Sequence, residues 1–199
     1  MYIISNIGVS GGAHRLWAHK SYKAKLPLRI LLLICFSAGV QLHFCRYFLL
    51  LQLFFGFILP TLLPVYLWNE TWNRAIVSQM FIRYMITLNA VWSINSIAHV
   101  WGTKPYDKNI KPSDNDFINF LTIGEGYHNF HHVFPWDYRS SEKGNNRFNY
   151  TTFFIDICAK LGQAYDLKYP SENLIKSIVL NNGDGTHPIL SEVPIPESD

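Results

Sequence analysis

Apolar positions along this chain fall in long blocks rather than in alternation. Tyr47 to Leu67 runs 21 residues without a charged side chain. At 1.5 Å per residue a helix there is about 31 Å long, close to the hydrocarbon thickness of a bilayer. Ala75 to Ala98 follows, 24 residues with one charge, Arg83. Both stretches are expected to span a membrane, with Pro60 and Pro64 tolerated as kinks and Arg83 turned inward or snorkelling. The loop Trp68–Arg74 between them is short, which predicts an antiparallel hairpin with interfacial tryptophans. Leu26 to Val40 is apolar but too short to cross, and reads as an interfacial or packed helix. Further helices are expected over Asn115–Leu121 and Phe153–Leu167, with a loose tail from Asn181. Strand signals are scarce. The expected fold is all-α: a helical membrane protein with two complete transmembrane helices, 47–67 and 75–98. A cytosolic helical cap (99–180) carries histidines, and the 199 residues form a single domain.

Charge sharpens the topology. Lys20, Lys23, Lys25 and Arg29 precede the hairpin, and Lys104, Lys108 and Lys111 follow it, whereas its loop holds only Arg74. The excess of basic residues on both flanks places those flanks in the cytosol. Charged residues make up 16% of the chain, against 49% hydrophobic, which argues against disorder and against a nucleic-acid partner. Cys35, Cys45 and Cys158 are odd in number and form no metal or disulfide spacing, so they read as reduced core residues. Met1–Val9 lacks the basic start and cleavage site of a signal peptide. The sequons at Asn69 and Asn149 are expected to remain unmodified.

The chemistry lies in the histidines. Six of the eight fall into patterned groups: His14 with His19; His99, four residues after Asn95; and His128, His131 and His132. Spacings of three and four put the last group on one helix face, able to converge on a metal. His14 and His19 are about 140° apart on an ideal α-helix, so they need a bend or helix end, for which Gly11 and Gly12 supply freedom. Many imidazoles without thiolates or clustered carboxylates suit a redox metal with open positions. Taken singly, each histidine is better explained as a satisfied core or interfacial residue; three groups on one side of a membrane are not. His43 fits none of the groups and reads as interfacial, and His187 as solvated. Trp92 shares a face with Asn95 and either lines an apolar channel or packs between helices.

These segments resemble the membrane-bound fatty acyl-CoA desaturases of the stearoyl-CoA (Δ9) type. Gly11–His19 looks like the family's first histidine box, Asn95–Asp107 like the segment leaving its fourth span, and Gly124–His132 like its third box; Phe153–Asp156 continues the match. The resemblance implies an endoplasmic-reticulum, multi-pass membrane enzyme with its histidine groups facing the cytosol. It implies a di-iron cofactor held by His14, His19, His99, His128, His131 and His132, with Asn95 holding a metal-bound water and Trp92 touching substrate. It further implies membrane lipid surroundings, cytochrome b5 as electron donor, and insertion of a cis double bond into a saturated acyl-CoA with O2.

The chain departs from the family in one major respect. No His-x-x-His-His run exists outside residues 128–132, so the family's second box and its three histidines are missing, as is the amino-terminal region. A truncated or internally deleted desaturase with little or no activity is therefore expected. The alternative is a non-catalytic membrane protein that forms a hetero-oligomer with an intact desaturase or competes for cytochrome b5. A histidine-rich fatty-acid hydroxylase fits the Asn95–Asp107 segment less well.

Overall fold

The computed structural model describes residues 2–39, 46–142 and 149–191. Helices dominate. Helix α1 (Tyr2–Asn6) runs on into a π-helical segment, Ile7–Ala18, and α2 spans Leu26–Ala38. Gly8 lies where these two helices cross: a Cβ there would collide with the Cys35 and Phe36 backbone. Glycine is what permits that close approach.

The hairpin follows. Its first arm is α3 (Arg46–Leu53), a π turn over Phe54–Ile58, and α4 (Leu59–Trp68). Asn69 ends that arm in the left-handed conformation, φ 52°. The second arm is α5 (Trp72–Ile76), a π turn over Val77–Ile82, and α6 (Arg83–Ser96), closed by a 3-10 turn at Ile97–His99. Ring contacts of Phe57 with Tyr84 and of Tyr66 with Trp72 show the arms antiparallel, as the short loop predicts.

Among the described residues one helix, Leu49–Trp68, is long and apolar enough to cross a membrane. The second expected span is helical along its whole length, but it does not meet that standard. Ser78, Gln79, Arg83, Asn89 and Ser93 dilute its apolar content. Arg83 is nevertheless buried, 9% exposed, as its position required.

The remaining elements form the cap: α7 (Asp116–Leu121), α8 (His128–Val133), α9 (Tyr150–Lys160) and α10 (Glu172–Asn182). Asn115, Asn149 and Ser171 each accept a backbone N–H at a helix start, the capping role such side chains favour. The expected helix Phe153–Leu167 is displaced. It begins at Tyr150 and stops at Lys160, because Gly162 takes a left-handed turn (φ 67°) and Ala164–Tyr165 (β2) pairs antiparallel with Lys23–Ala24 (β1). The tail from Asn181 is also less loose than expected. The Lys104 N–H donates to Asp184, and His187 pairs with Glu142 at 2.7 Å.

Two apolar clusters flank the histidines. Leu16, Tyr22, Leu28, Leu32, Ile155 and Cys158 join the first π segment to α2 and α9. Tyr106, Phe130, Phe134, Ile175 and Val179 join α8 to α10. Each cluster fixes one histidine-bearing segment from behind.

Candidate metal centre

The first histidine pair meets through an unexpected winding. Over Ile7–Ala18 the chain is π-helical, so residues five apart occupy the same face. The His19 N–H donates to the His14 carbonyl at 2.9 Å, and the two rings lie 4.5 Å apart at their centroids. No bend at Gly11 or Gly12 is needed.

The third group does not converge on one point. Helix α8 divides it: His131 turns to His14 and His19, while His128 and His132 turn to His99. The result is two triads, His14/His19/His131 and His99/His128/His132, each with its ligand atoms within 4.8 Å of one another. The Nε2 atoms of His14 and His131 are 2.8 Å apart, those of His99 and His128 3.0 Å, and those of His128 and His132 3.2 Å. Metal–nitrogen bonds of about 2.0–2.1 Å place neighbouring ligands roughly 3 Å apart, so the donors fit a metal ion in each triad. His131 Nδ1 is buried with no partner.

Burial suits the rings to this task. It lowers His14 to about 4, the neighbouring Glu125 charge pulling the other way, and lowers His128 to about 3, reinforced by His132 and His99. His131 is driven well below 6.5, and His19 and His132 are lowered as well, in each case chiefly by burial. These rings are neutral at pH 7 and offer lone pairs.

The groups that hold the histidines were not read from the sequence. Arg15, 1% exposed, donates to the Tyr138 carbonyl (2.7 Å) and the Thr152 hydroxyl (2.9 Å), and pairs with Glu125 at 2.5 Å. Ser10 donates to the same Glu125 oxygen. This pair ties the π segment to the loop entering α8. Asp114 accepts the Asn129 and Phe130 N–H groups at the start of α8 (2.7 and 3.2 Å). Burial pushes its carboxyl up to about 7 against those bonds. Asn129, fully buried, bonds Tyr106, Asp107 and Pro112 backbone atoms and so anchors α8 to the preceding loop. Arg15 and Glu125 did carry a signal: a lone arginine in an apolar helix requires a partner, and Glu125 stands three residues before His128.

A cavity of about 220 Å³ opens on the triads, lined by His14, His128, His131, Asn95 and Glu125 on its polar side and by Val9, Val91 and Ile94 on its apolar side. Asn95 is part of that lining. Trp92 is 59% exposed and outside that lining. His187, expected to be solvated, is largely covered, and packs with Tyr106 and Glu142 beside a larger cleft of about 750 Å³. That cleft contains none of the six histidines, whereas the smaller cavity borders three of them. His43 and Cys45 lie outside the described residues.

No family model matches the chain. Curated proteins do. It is 37% identical to an acyl-CoA Delta-9 desaturase of Acheta domesticus, over 95% of this chain and 70% of that protein. It is 40% identical to an acyl-CoA Delta(11) desaturase of Trichoplusia ni, over 96% and 72%, and 35% identical to the stearoyl-CoA desaturase of Homo sapiens, over 94% and 69%. The first alignment runs over 253 residues against the 199 of this chain, leaving at least 54 positions of the relative opposite gaps (253 − 199). With relatives this similar along nearly its whole length, the chain belongs to the acyl-CoA desaturase family.

Proposed function

We propose that this chain is a membrane-bound desaturase of the endoplasmic reticulum whose two histidine triads each hold one iron at the cytosolic face. Its reaction is the O2-dependent introduction of a cis double bond into a saturated acyl-CoA, with electrons from cytochrome b5. The observation that carries this reading is the pair of adjacent triads sharing α8. An unactivated methylene C–H is beyond acid–base chemistry, and bound iron supplies the oxidising power. The protein's own part is positional. His14, His19 and His131 hold one ion and His99, His128 and His132 the other. Asn95 keeps a water at the cavity wall through its amide, Trp92 contacts the acyl chain only where the chain runs outside that cavity, and the apolar wall of Val9, Val91 and Ile94 keeps bulk water from the reacting carbon.

Three imidazoles per metal is a thin donor set. Losing even the groups that merely support ligands costs some metal sites 10–100-fold, so iron is held weakly and turnover falls well below that of the longer relatives. A second reading, favoured by the missing aligned positions, is a non-catalytic partner of an intact desaturase or of cytochrome b5. The deciding experiment measures iron per chain after gentle detergent extraction, then product from saturated acyl-CoA with cytochrome b5 and O2. Two irons and slow product formation are expected. A folded chain without iron overturns the first reading, and two irons with no product at all favours the second.

A further inference from the structure

We infer that α2 is a half-span, entering the near leaflet from the cytosolic cap and ending inside the hydrocarbon, where Arg83 closes its last carbonyl. The inference rests on the membrane reading above and goes beyond it. A 13-residue helix is about 20 Å long, too short to cross. Apart from Arg29 in its first turn and Ser37 in its last, both faces are apolar. Leu28, Leu32, Cys35 and Phe36 are buried, whereas Leu26, Ile30, Leu31 and Ile34 are 69%, 50%, 46% and 37% exposed. An exposed apolar stripe on a helix already packed on its other side suits acyl chains rather than water.

The two ends of α2 lie in different surroundings. At its start, the Lys25 N–H donates to the Gln163 carbonyl in the cap (2.9 Å), and Leu28 and Leu32 belong to the cluster with Ile155. At its end, the Ala38 carbonyl accepts from Arg83 Nη1 (3.1 Å) and from the Ser5 hydroxyl (3.1 Å). The same guanidinium donates to the Gly56 carbonyl, and its Nε to Gln79 (3.0 Å). Gly56 lies seven residues into the apolar run that starts at Leu49, about 10 Å below its edge. One guanidinium reaches both carbonyls, so Ala38 lies at that depth.

A helix end exposes carbonyls without partners inside the helix, and in hydrocarbon no water can satisfy them. A cation there also suits the negative end of the helix dipole. Arg83 thereby turns a buried charge into the cap that lets α2 stop partway through the bilayer. Its described hydrogen-bond acceptors are backbone carbonyls only, and residues 1–69 contain no Asp or Glu.

The test places nitroxide labels at Ile34→Cys, Leu50→Cys and Lys176→Cys in the full chain in lipid nanodiscs, with the unsubstituted chain labelled in parallel as background. Accessibility to O2 is compared with that to a water-soluble nickel chelate. Ile34 is expected to match Leu50, favouring O2 several-fold, while Lys176 favours nickel. If Ile34 follows Lys176 and Leu50 stays in lipid, the half-span is wrong and the membrane reading stands; if Leu50 also follows Lys176, both fall. Adding Arg83→Met should raise nickel access at Ile34 several-fold with Leu50 unchanged, and Arg83→Lys should restore part of the difference. No change at Ile34 would remove Arg83 from the account.

Discussion

The two triads are built from the same side chains yet differ in support. His14/His19/His131 is tied from below by the π segment's backbone bonds and by the buried Arg15–Glu125 pair. His99/His128/His132 rests on a single 3-10 turn on one side, and His132 is exposed. Where donor sets are equal, retention is decided by how firmly the donors are held before the metal arrives. The first triad is the preorganised one. The second depends on α8, which Asp114 and Asn129 fix from outside the metal region.

Arg15→Met should separate the triads most strongly. It leaves Glu125 as an uncompensated, largely buried charge and should cost about 3–5 kcal/mol of stability, with metal lost first from the triad containing His14. Melting in detergent, with and without metal, measures both effects, and an unchanged melting point would contradict the clamp. Next comes the pair His131→Ala and His132→Ala. Each should weaken metal at its own triad by at least about 10–100-fold and leave the other filled, so iron per chain falls from two to one. A single substitution that empties both triads would show that they act as one site.

Acid should affect both triads, by about 3 kcal/mol at each between pH 7 and 4. His14 and His128 titrate near 4 and 3 when folded, against 6.5 in the unfolded chain. The unfolded state therefore binds protons first as pH falls. The histidine contribution is complete above 6.5 and is lost progressively from there, down through about 4 for His14 and about 3 for His128. Melting of the metal-free protein between pH 7 and 4 tests this, and a flat profile would refute it. The smallest effect is Ser171→Ala, which removes the α10 cap at about 0.5–1 kcal/mol and leaves iron at both triads unchanged.

What could be read from the sequence followed from periodicity. The helical hairpin, the apolar blocks and the grouping of the histidines emerged because spacing and charge encode them locally. The division of the third box did not, because one helix face can serve two centres, and which one each ring meets depends on partners 29 and 117 residues away. His187 was misjudged for the same reason: its polar neighbours in sequence suggested water, whereas Glu142 and Tyr106 cover it. The second arm of the hairpin is a subtler case. Its length was right, but scattered polar side chains hold it short of the apolarity of a span. Asn95 reached the cavity and Trp92 did not, although three residues separate them on one helix.

The π segment turns residue counting into a screw thread. In a loop, one codon gained or lost is absorbed by slack; between His14 and His19 it would be read out as rotation. Removing one residue there would set the two imidazoles four apart, which an ordinary α-helix already aligns, at about 100° per residue. The five-residue interval and the wide winding are thus one property written twice. A helix that keeps such an interval between two converging ligands records its own pitch in its length, and cannot change either alone.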